Sequence, residues 1–204
     1  MPRVGSAHDL GARYTRLAGY LVGLPDGLDS YPQCVARSGV LEAVLAAAPG
    51  AQDRGPPLVA ALLAPPLRPW TQEVVLQAAL LAVADHAGMT EARFLQWCRS
   101  TNRQLYRNLV YRALMAFLSP LTLLERGAAR WSSFHHGTTL EVGRDGEKVA
   151  QGQLTFPPGL FTPFLLRGYA EAFAAAFEHS RAENVSVELA RTTETSARFV
   201  VRWS

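Results

Sequence analysis

The alternation of hydrophobic and polar positions predicts two β-hairpins with a helix between them in the C-terminal third of the chain. Residues 138–156 hold two strand-like runs around Asp145-Gly146. Asp-Gly between alternating runs is a strong signal for a hairpin. Residues 185–190 and 197–203 form a second pair of strand-like runs. The pattern therefore predicts a β-β-α-β-β unit with a four-stranded antiparallel sheet.

The helix between the two hairpins has clear sequence signals at both ends. Thr162 is placed to cap its first turn, and Pro163 stands at the first helical position, where its missing N–H costs nothing. His179 and Arg181 come near its end, where positive charge is favourable beside the helix dipole. We expect this helix to run from Pro163 to about Arg181 and to cover one face of the sheet.

The first two thirds of the chain read mainly as helices. Residues 71–86 are apolar on almost every side, which is typical of a buried helix. Residues 14–23 fit either a strand or a helix. Ser38, Thr71 and Thr90 are placed as N-caps of three helices. Helical patterns cover residues 38–48, 58–64, 71–86, 91–118 and 121–134.

These elements predict one α+β domain of 204 residues, with N-terminal helices packed against the C-terminal β-β-α-β-β unit. Residues 1–57 form an N-terminal helical elaboration, residues 58–137 the helical part, and residues 138–204 the β-β-α-β-β unit. The loop at residues 51–57 is the candidate boundary, if the chain has one.

Composition and charge argue against several classes of protein. The chain is 49% hydrophobic with a net charge of +3, and its acidic and basic residues are interspersed, so we do not expect nucleic acid as a partner. Cys34 and Cys98 have no spacing typical of a disulfide framework or a zinc site. No apolar run approaches the roughly 18 residues of a membrane span. We therefore expect a cytoplasmic protein without a membrane span.

Catalytic and cofactor motifs are absent from the sequence. Neither phosphate-binding glycine pattern occurs, and there is no G-x-S-x-G nucleophile elbow. His135-His136 has no chelating partner at helical spacing, so no metal ligand and no cofactor are predicted. Cys98 fits a small core residue better than a nucleophile. The prediction is that the chain is not an enzyme.

Arginines mark one face of the helix predicted at residues 91–118. Arg99, Arg103 and Arg107 recur every four residues, opposite the side that carries Phe94. This stripe is either a solvated face or a docking surface for a partner. Arg112 lies on the apolar side of the same helix, and a buried guanidinium needs a partner. It pairs with a protein carboxylate, extends to solvent, or binds an acidic ligand.

Small residues and rings alternate along the predicted helix at residues 163–181. The rings recur every four residues, and the small residues beside them would allow another segment to approach closely. These positions fit core packing, an apolar ligand pocket or a dimer face. The candidate pocket residues are Phe161, Leu165, Gly168, Tyr169, Ala172, Phe173, Ala176 and Arg112.

Spaced aromatic, glycine and turn residues carry a resemblance to known proteins. They are Tyr111-Arg112, Leu114-Met115, Ser119-Pro120, Leu123-Leu124, Ala128, Trp131, Phe134 to Gly137, Val187 to Leu189 and Phe199 to Trp203. In these residues the chain resembles an uncharacterised paralogous family found mainly in myxobacteria. Its C-terminal part is similar to vinyl-reductase-type sensor domains and, more distantly, to Bet-type TRAPP subunits and the haem-nitric-oxide-binding fold.

Two departures limit what the resemblance implies. The sensor domains often carry cysteines near the last two strands, whereas this chain has Thr192, Thr193, Thr195 and Ser196 there. The Tyr-x-Ser-x-Arg element of the haem proteins is also absent, so the resemblance implies no haem. TRAPP-type subunits can hold an acyl chain, and Cys98 on an apolar helix face is similar to the cysteine that sometimes carries it.

The resemblance and the residues together predict a non-enzymatic sensor or scaffold domain in bacterial signalling. It would bind a hydrophobic or acyl-like small molecule, a protein partner, or both. The alternatives are a ligand-free homodimeric adaptor and an enzyme with an unfamiliar site.

Overall fold

The computed structural model describes residues 10–48, 50, 55–107 and 119–204 and has an α+β fold. Its contacts divide the chain into two compact units, Met1–Thr90 and Glu91–Ser204. The division comes after Thr90, whereas the sequence places its candidate boundary at residues 51–57. Each unit has its own buried apolar side chains.

The first unit is mostly helical. Strands β1 and β2 pair antiparallel, with Ala36 opposite Thr71. The segment from residue 14 to 23, which fitted either a strand or a helix, forms helix α1. The elements are α1 (Thr15–Val22), β1 (Val35–Arg37), α2 (Ser38–Ala46), α3 (Pro57–Leu62), β2 (Trp70–Gln72) and α4 (Glu73–His86).

A carboxylate from another helix caps the first turn of α1. The side chain of Tyr14, at the N-cap position, makes no cap hydrogen bond. Oδ2 of Asp85, in the last turn of α4, accepts from the backbone N–H groups of Arg16 and Leu17, each at 3.0 Å. Its Oδ1 pairs with the Arg16 guanidinium at 2.9 Å. Asp85 therefore supplies a cap that the local sequence lacks.

Two N-caps predicted from the sequence are wrong. Ser38 is the first residue of α2 rather than its cap, and Thr71 lies in β2, one residue before the cap position of α4. The hydroxyls of Ser38 and Thr71 hydrogen-bond to each other at 2.7 Å. The pairing of β1 with β2 brings the two hydroxyls together, and neither of them caps its helix.

The second unit contains the predicted β-β-α-β-β arrangement, preceded by helices. Its sheet has the order β4-β5-β7-β6, and all neighbouring strands are antiparallel. The elements are α5 (Glu91–Leu105), α6 (Pro120–Glu125), α7 (Gly127–Phe134), β3 (His135–His136), β4 (Thr139–Arg144), β5 (Val149–Thr155), α8 (Pro163–His179), β6 (Ser186–Thr192) and β7 (Ser196–Arg202).

Both ends of α8 follow the sequence signals. The Thr162 hydroxyl accepts a hydrogen bond from the Leu165 N–H at 3.3 Å, and Pro163 stands at the first helical position. The helix ends at His179, two residues before the end predicted from the sequence. The predicted cap is thus confirmed. The sequence could predict it because Thr162, Pro163 and Leu165 are neighbours in the chain.

The helix predicted at residues 121–134 is divided in two. Helix α6 ends at Glu125 and α7 begins at Gly127, with Arg126 outside helical geometry between them. A Cβ added at Gly127 would lie 2.9 Å from Cγ2 of Val142 in β4. The start of α7 therefore lies directly against the sheet, and a side chain there would force the two apart. Residues 108–118, which the sequence predicts to continue α5, lie outside the described residues.

One face of the sheet is covered by α8. Phe199 of β7 is buried and meets Phe173 of α8 edge to face, with ring centroids 5.0 Å apart. Farther along, Phe177 packs against Trp203 at 5.4 Å. A buried apolar cluster continues under this helix and includes Leu123, Leu124, Ala150, Ala176, Phe177, Ala182 and Val201. The sheet thus has one covered apolar face, as alternation along the strands predicts.

Candidate functional site

Helices α5 and α8 approach each other closely at Gly168. A Cβ built there would lie 3.0 Å from Cε1 of Phe94 and 3.2 Å from Sγ of Cys98. Phe94 is fully buried and stacks on Phe164 with ring centroids 4.2 Å apart. The absence of a side chain at Gly168 therefore lets the ring and the thiol of α5 contact the backbone of α8.

Ion pairs join the same two helices beside this contact. Arg99 donates to Glu171 at 3.1 Å and to Glu178 at 2.6 Å. Arg103 donates to both oxygens of Glu178, at 2.7 and 2.8 Å. Two arginines of the predicted stripe thus have partners within the chain. The third, Arg107, is exposed and forms no ion pair within the described residues. The stripe as a partner surface stays a prediction.

These contacts shift the pKa of two groups. The hydrogen bond from Arg103 is the largest cause that lowers the pKa of Glu178 to about 2; burial opposes this shift and Arg99 adds to it. Burial raises the pKa of the Cys98 thiol to about 12, and the neighbouring carboxylate of Glu171 adds to the rise. Cys98 is therefore a protonated thiol packed between helices, without the lowered pKa of a reactive nucleophile.

A cluster of rings fills the space between α7, α8 and the sheet. The rings of Trp131 and His135 stack with centroids 3.9 Å apart and planes inclined by 12°. Tyr169 lies 5.9 Å from Trp131, and Phe161 meets Tyr169 edge to face at 5.1 Å. We call this group the ring cluster; its members are Trp131, His135, Phe156, Phe161, Tyr169, Phe173 and Phe199.

The ring cluster has a buried polar end and a more accessible side. Nε1 of Trp131 donates to the Thr138 hydroxyl at 3.0 Å, and both residues are buried. His135 is also buried, with 7% of its surface exposed. Tyr169 and Phe173, by contrast, are only half-buried. The rings of these two residues therefore present apolar surface next to a small buried polar group, the combination found in many ligand sites.

The predicted pocket residues do not all lie together. Phe161, Tyr169 and Phe173 belong to the ring cluster. Gly168 faces α5, and Ala176 packs in the apolar cluster with Leu123, Leu124 and Val201. Leu165 is buried and Ala172 is half-buried on the same helix. Arg112 lies outside the described residues.

The sequence pattern did not indicate Trp131, His135 and Thr138 as members of a site. One signal was present, because Trp131 and His135 are four residues apart, the spacing that places side chains next to each other on a helix. His135 itself follows the last residue of α7. The contribution of Phe199 from β7 depends on the packing of the sheet against α8 and has no local signal.

Comparisons with known proteins show similarity in structure only. No family model and no curated protein matches the chain. A variant of Tt H-NOX superposes with a TM-score of 0.57 at 10% identity, covering 82% of this chain and 95% of that one. A mutant H-NOX protein from K. algicida, with unliganded Fe(II), gives 0.54 at 10% identity, covering 82% and 96%. A Cs H-NOX mutant gives 0.55 at 10% identity, covering 82% and 96%.

The chain has the H-NOX fold. This supports the likeness to the haem-nitric-oxide-binding fold that the sequence predicted. The resemblance to a myxobacterial family, to vinyl-reductase-type sensors and to TRAPP subunits stays a prediction.

The described residues of the second unit do not fit a haem. A haem needs an apolar slot and an axial ligand. The one buried histidine, His135, has a ring face covered by the indole of Trp131 at 3.9 Å, and the neighbouring volume contains Tyr169 and Phe173. His136 and His179 are exposed. The side chains of the ring cluster thus occupy the apolar space beside the only buried imidazole of this unit's described residues.

Neither a metal cluster nor a membrane span occurs among the described residues. Across them, His, Cys, Asp and Glu side chains nowhere gather in threes that could hold a metal ion. None of the helices formed by these residues has the length and hydrophobicity needed to cross a bilayer.

Proposed function

We propose that this chain is a ligand-sensing domain of bacterial signalling that uses the H-NOX fold without haem and without catalysis. Its ligand is a hydrophobic small molecule bound at the half-buried rings of Tyr169 and Phe173. The observation that supports this site most strongly is that the ring cluster combines those two rings with the buried pair formed by Trp131 and Thr138.

The chemistry of the site suits an apolar molecule with few polar groups. Ring faces bury large apolar areas, and ring pairs prefer the edge-to-face and stacked contacts present here. No lysine or arginine belongs to the ring cluster, which disfavours a sugar phosphate or a nucleotide. An acyl chain satisfies the same requirement.

The H-NOX fold supports sensing as the purpose of binding. The similar structures are those of H-NOX proteins, and one of them concerns the molecular mechanism of H-NOX activation. A ligand that binds against α8 would also act on the ion pairs that join α8 to α5. The output of the domain would be a change in the position of α8, because both sets of contacts share this helix.

Two substitutions on α8 test the site. Ala172 is half-buried and follows Tyr169 by three residues, so Ala172→Leu adds methylenes beside the accessible rings. We expect this variant to keep its stability and to lose binding of the dye 1-anilinonaphthalene-8-sulfonate, measured by fluorescence. Ala176→Leu is the matched reference: Ala176 is packed in a closed cluster, and overpacking there should cost about 1–3 kcal/mol.

Native mass spectrometry and haemin titration complete the test. The wild-type chain should retain a small hydrophobe or bind the dye, and haemin should produce no stoichiometric complex. Unchanged dye binding in Ala172→Leu would refute the site. A one-to-one haemin complex with an axial histidine spectrum would refute the haem-free part. A clean dimer without any ligand would favour the adaptor function instead.

A further inference from the structure

The outer face of the four-stranded sheet, opposite α8, carries mostly polar and charged side chains. Along β7, Ala197, Phe199 and Val201 are buried, while Arg198 and Arg202, which occupy the alternate positions, are exposed. Successive side chains on a strand point to opposite faces, so these arginines lie on the outer face. The register of the sheet places Gln151, Gln153 and Glu188 on the same face.

Two arginines lie directly opposite each other on this face. Arg191 of β6 is the cross-strand partner of Arg198 of β7. A β-bulge between Leu189 and Arg191 produces this pairing, because uninterrupted pairing after Leu189 and Phe199 would place Ala190 opposite Arg198. The bulge therefore brings a second guanidinium next to the first.

This arrangement is unfavourable for the isolated sheet. Side chains directly opposite in an antiparallel pair lie about 4.5–5.5 Å apart at Cβ, and like charges there destabilise the pairing. Among the described residues, neither Arg191 nor Arg198 forms an ion pair. Arg202 on the same face has a partner, Glu188, at 3.2 Å. Glu141 is separated from Arg198 by the intervening Gln153 of β5.

We infer that Arg191 and Arg198 form a docking site for an acidic segment of a protein partner. Two adjacent guanidinium groups can each bind a carboxylate with two parallel hydrogen bonds, and the negative charge would remove their mutual repulsion. Nucleic acid fits less well, because the outer-face residues of β5, β6 and β7 include no ring on which a base could stack. This inference adds a partner surface on the face of the sheet opposite the ring cluster.

Binding of a labelled acidic peptide to the full chain tests the inference. The probe is a fluorescein-labelled oligomer of ten glutamates, followed by anisotropy at low and at physiological salt. The double variant Arg191→Gln/Arg198→Gln should bind it roughly tenfold more weakly or worse. The control, Arg68→Gln/Arg126→Gln, removes the same charge from two exposed arginines elsewhere and should bind like the wild type.

A single charge reversal separates a docking role from a structural one. Arg198→Glu places opposite charges across the strands, so its melting temperature should rise by about 1–3 °C while binding of the glutamate oligomer is lost. Equal weakening in the control variant would show only diffuse attraction and would overturn the inference. So would unchanged binding in Arg198→Glu, or tighter binding of a single-stranded oligonucleotide through the same two arginines.

Discussion

Arg103 and Glu178 form a bidentate ion pair between α5 and α8, in which Nε and Nη2 of the arginine donate to the two carboxylate oxygens at 2.7 and 2.8 Å. Arg99 donates to the same carboxylate from the preceding turn of α5, at 2.6 Å. Glu178 thus accepts from two arginines that the sequence placed on an outward stripe. Two arginines of the stripe therefore join α5 to α8 within this unit.

The pH dependence of stability should report this ion pair. The pKa of Glu178 falls from its ordinary value of 4.5 to about 2 in the folded chain. A group whose pKa is lower in the folded state stabilises that state above its unfolded pKa. This contribution should be present above pH 4.5 and lost as the pH falls from 4.5 towards 2.

Glu178→Gln should remove that part of the acid dependence. Urea unfolding at pH 7 and at several pH values down to 2.5 is the measurement. Glu183→Gln is the control, because Glu183 is exposed and has no ion pair within the described residues. Identical pH profiles for the wild type and Glu178→Gln would show that solvent screens the pair completely.

The three arginines of the stripe should differ in their contribution to stability. Arg99 contacts two carboxylates and donates to the Val185 carbonyl oxygen at 3.2 Å, so Arg99→Gln should cost about 1–2 kcal/mol. Arg103 is 52% exposed, and its loss should cost less, about 0.5–1 kcal/mol. Arg107→Gln should stay within about 0.5 kcal/mol of the wild type. Equal effects at all three positions, measured by thermal unfolding, would contradict the α5–α8 ion pairs.

Gly168 should be intolerant of even a methyl group. The added Cβ of Gly168→Ala would lie 3.0 Å from Phe94, whose ring is held by its stack on Phe164. Overpacking should outweigh the gain in helix propensity and destabilise the chain by about 1 kcal/mol.

A second glycine provides the matched control for this substitution. Gly19 is inside α1, and a Cβ there would meet nothing within 4 Å. Gly19→Ala should therefore stabilise the chain by about 0.5–1 kcal/mol. Urea unfolding gives the free energy of unfolding of each variant. An increase for both variants would contradict the close contact of α5 with α8 at Gly168.

Cys98 should resist alkylation in the folded chain. Its pKa of about 12 leaves almost no thiolate at pH 8, and the thiol is buried. Iodoacetamide at pH 8 should leave Cys98 unmodified in peptide mass spectra, whereas the same treatment in urea should modify it fully. Rapid modification of the native chain would instead support an acyl-carrying or nucleophilic thiol.

The sequence was most informative where structure depends on neighbouring residues. It predicted the hairpin around Asp145-Gly146, the cap at Thr162 and the antiparallel strands that follow, because turn chemistry, capping and alternation are local properties. It failed at Ser38 and Thr71, whose hydroxyls are good caps but pair with each other when β1 meets β2. Alternation also showed which face of the last strands is apolar.

Only the tertiary structure decided which side chains form a site. The contacts of the site join residues from different elements. Examples are the stacking of Trp131 on His135, the contact of Phe173 with Phe199 and the ion pair between Arg99 and Glu178. The sequence determined the elements of the C-terminal β-β-α-β-β unit and their apolar faces, since periodicity records burial. Which side chains contact each other depends on strand register and on the close approach of segments that are distant along the chain. No local sequence pattern records either of these.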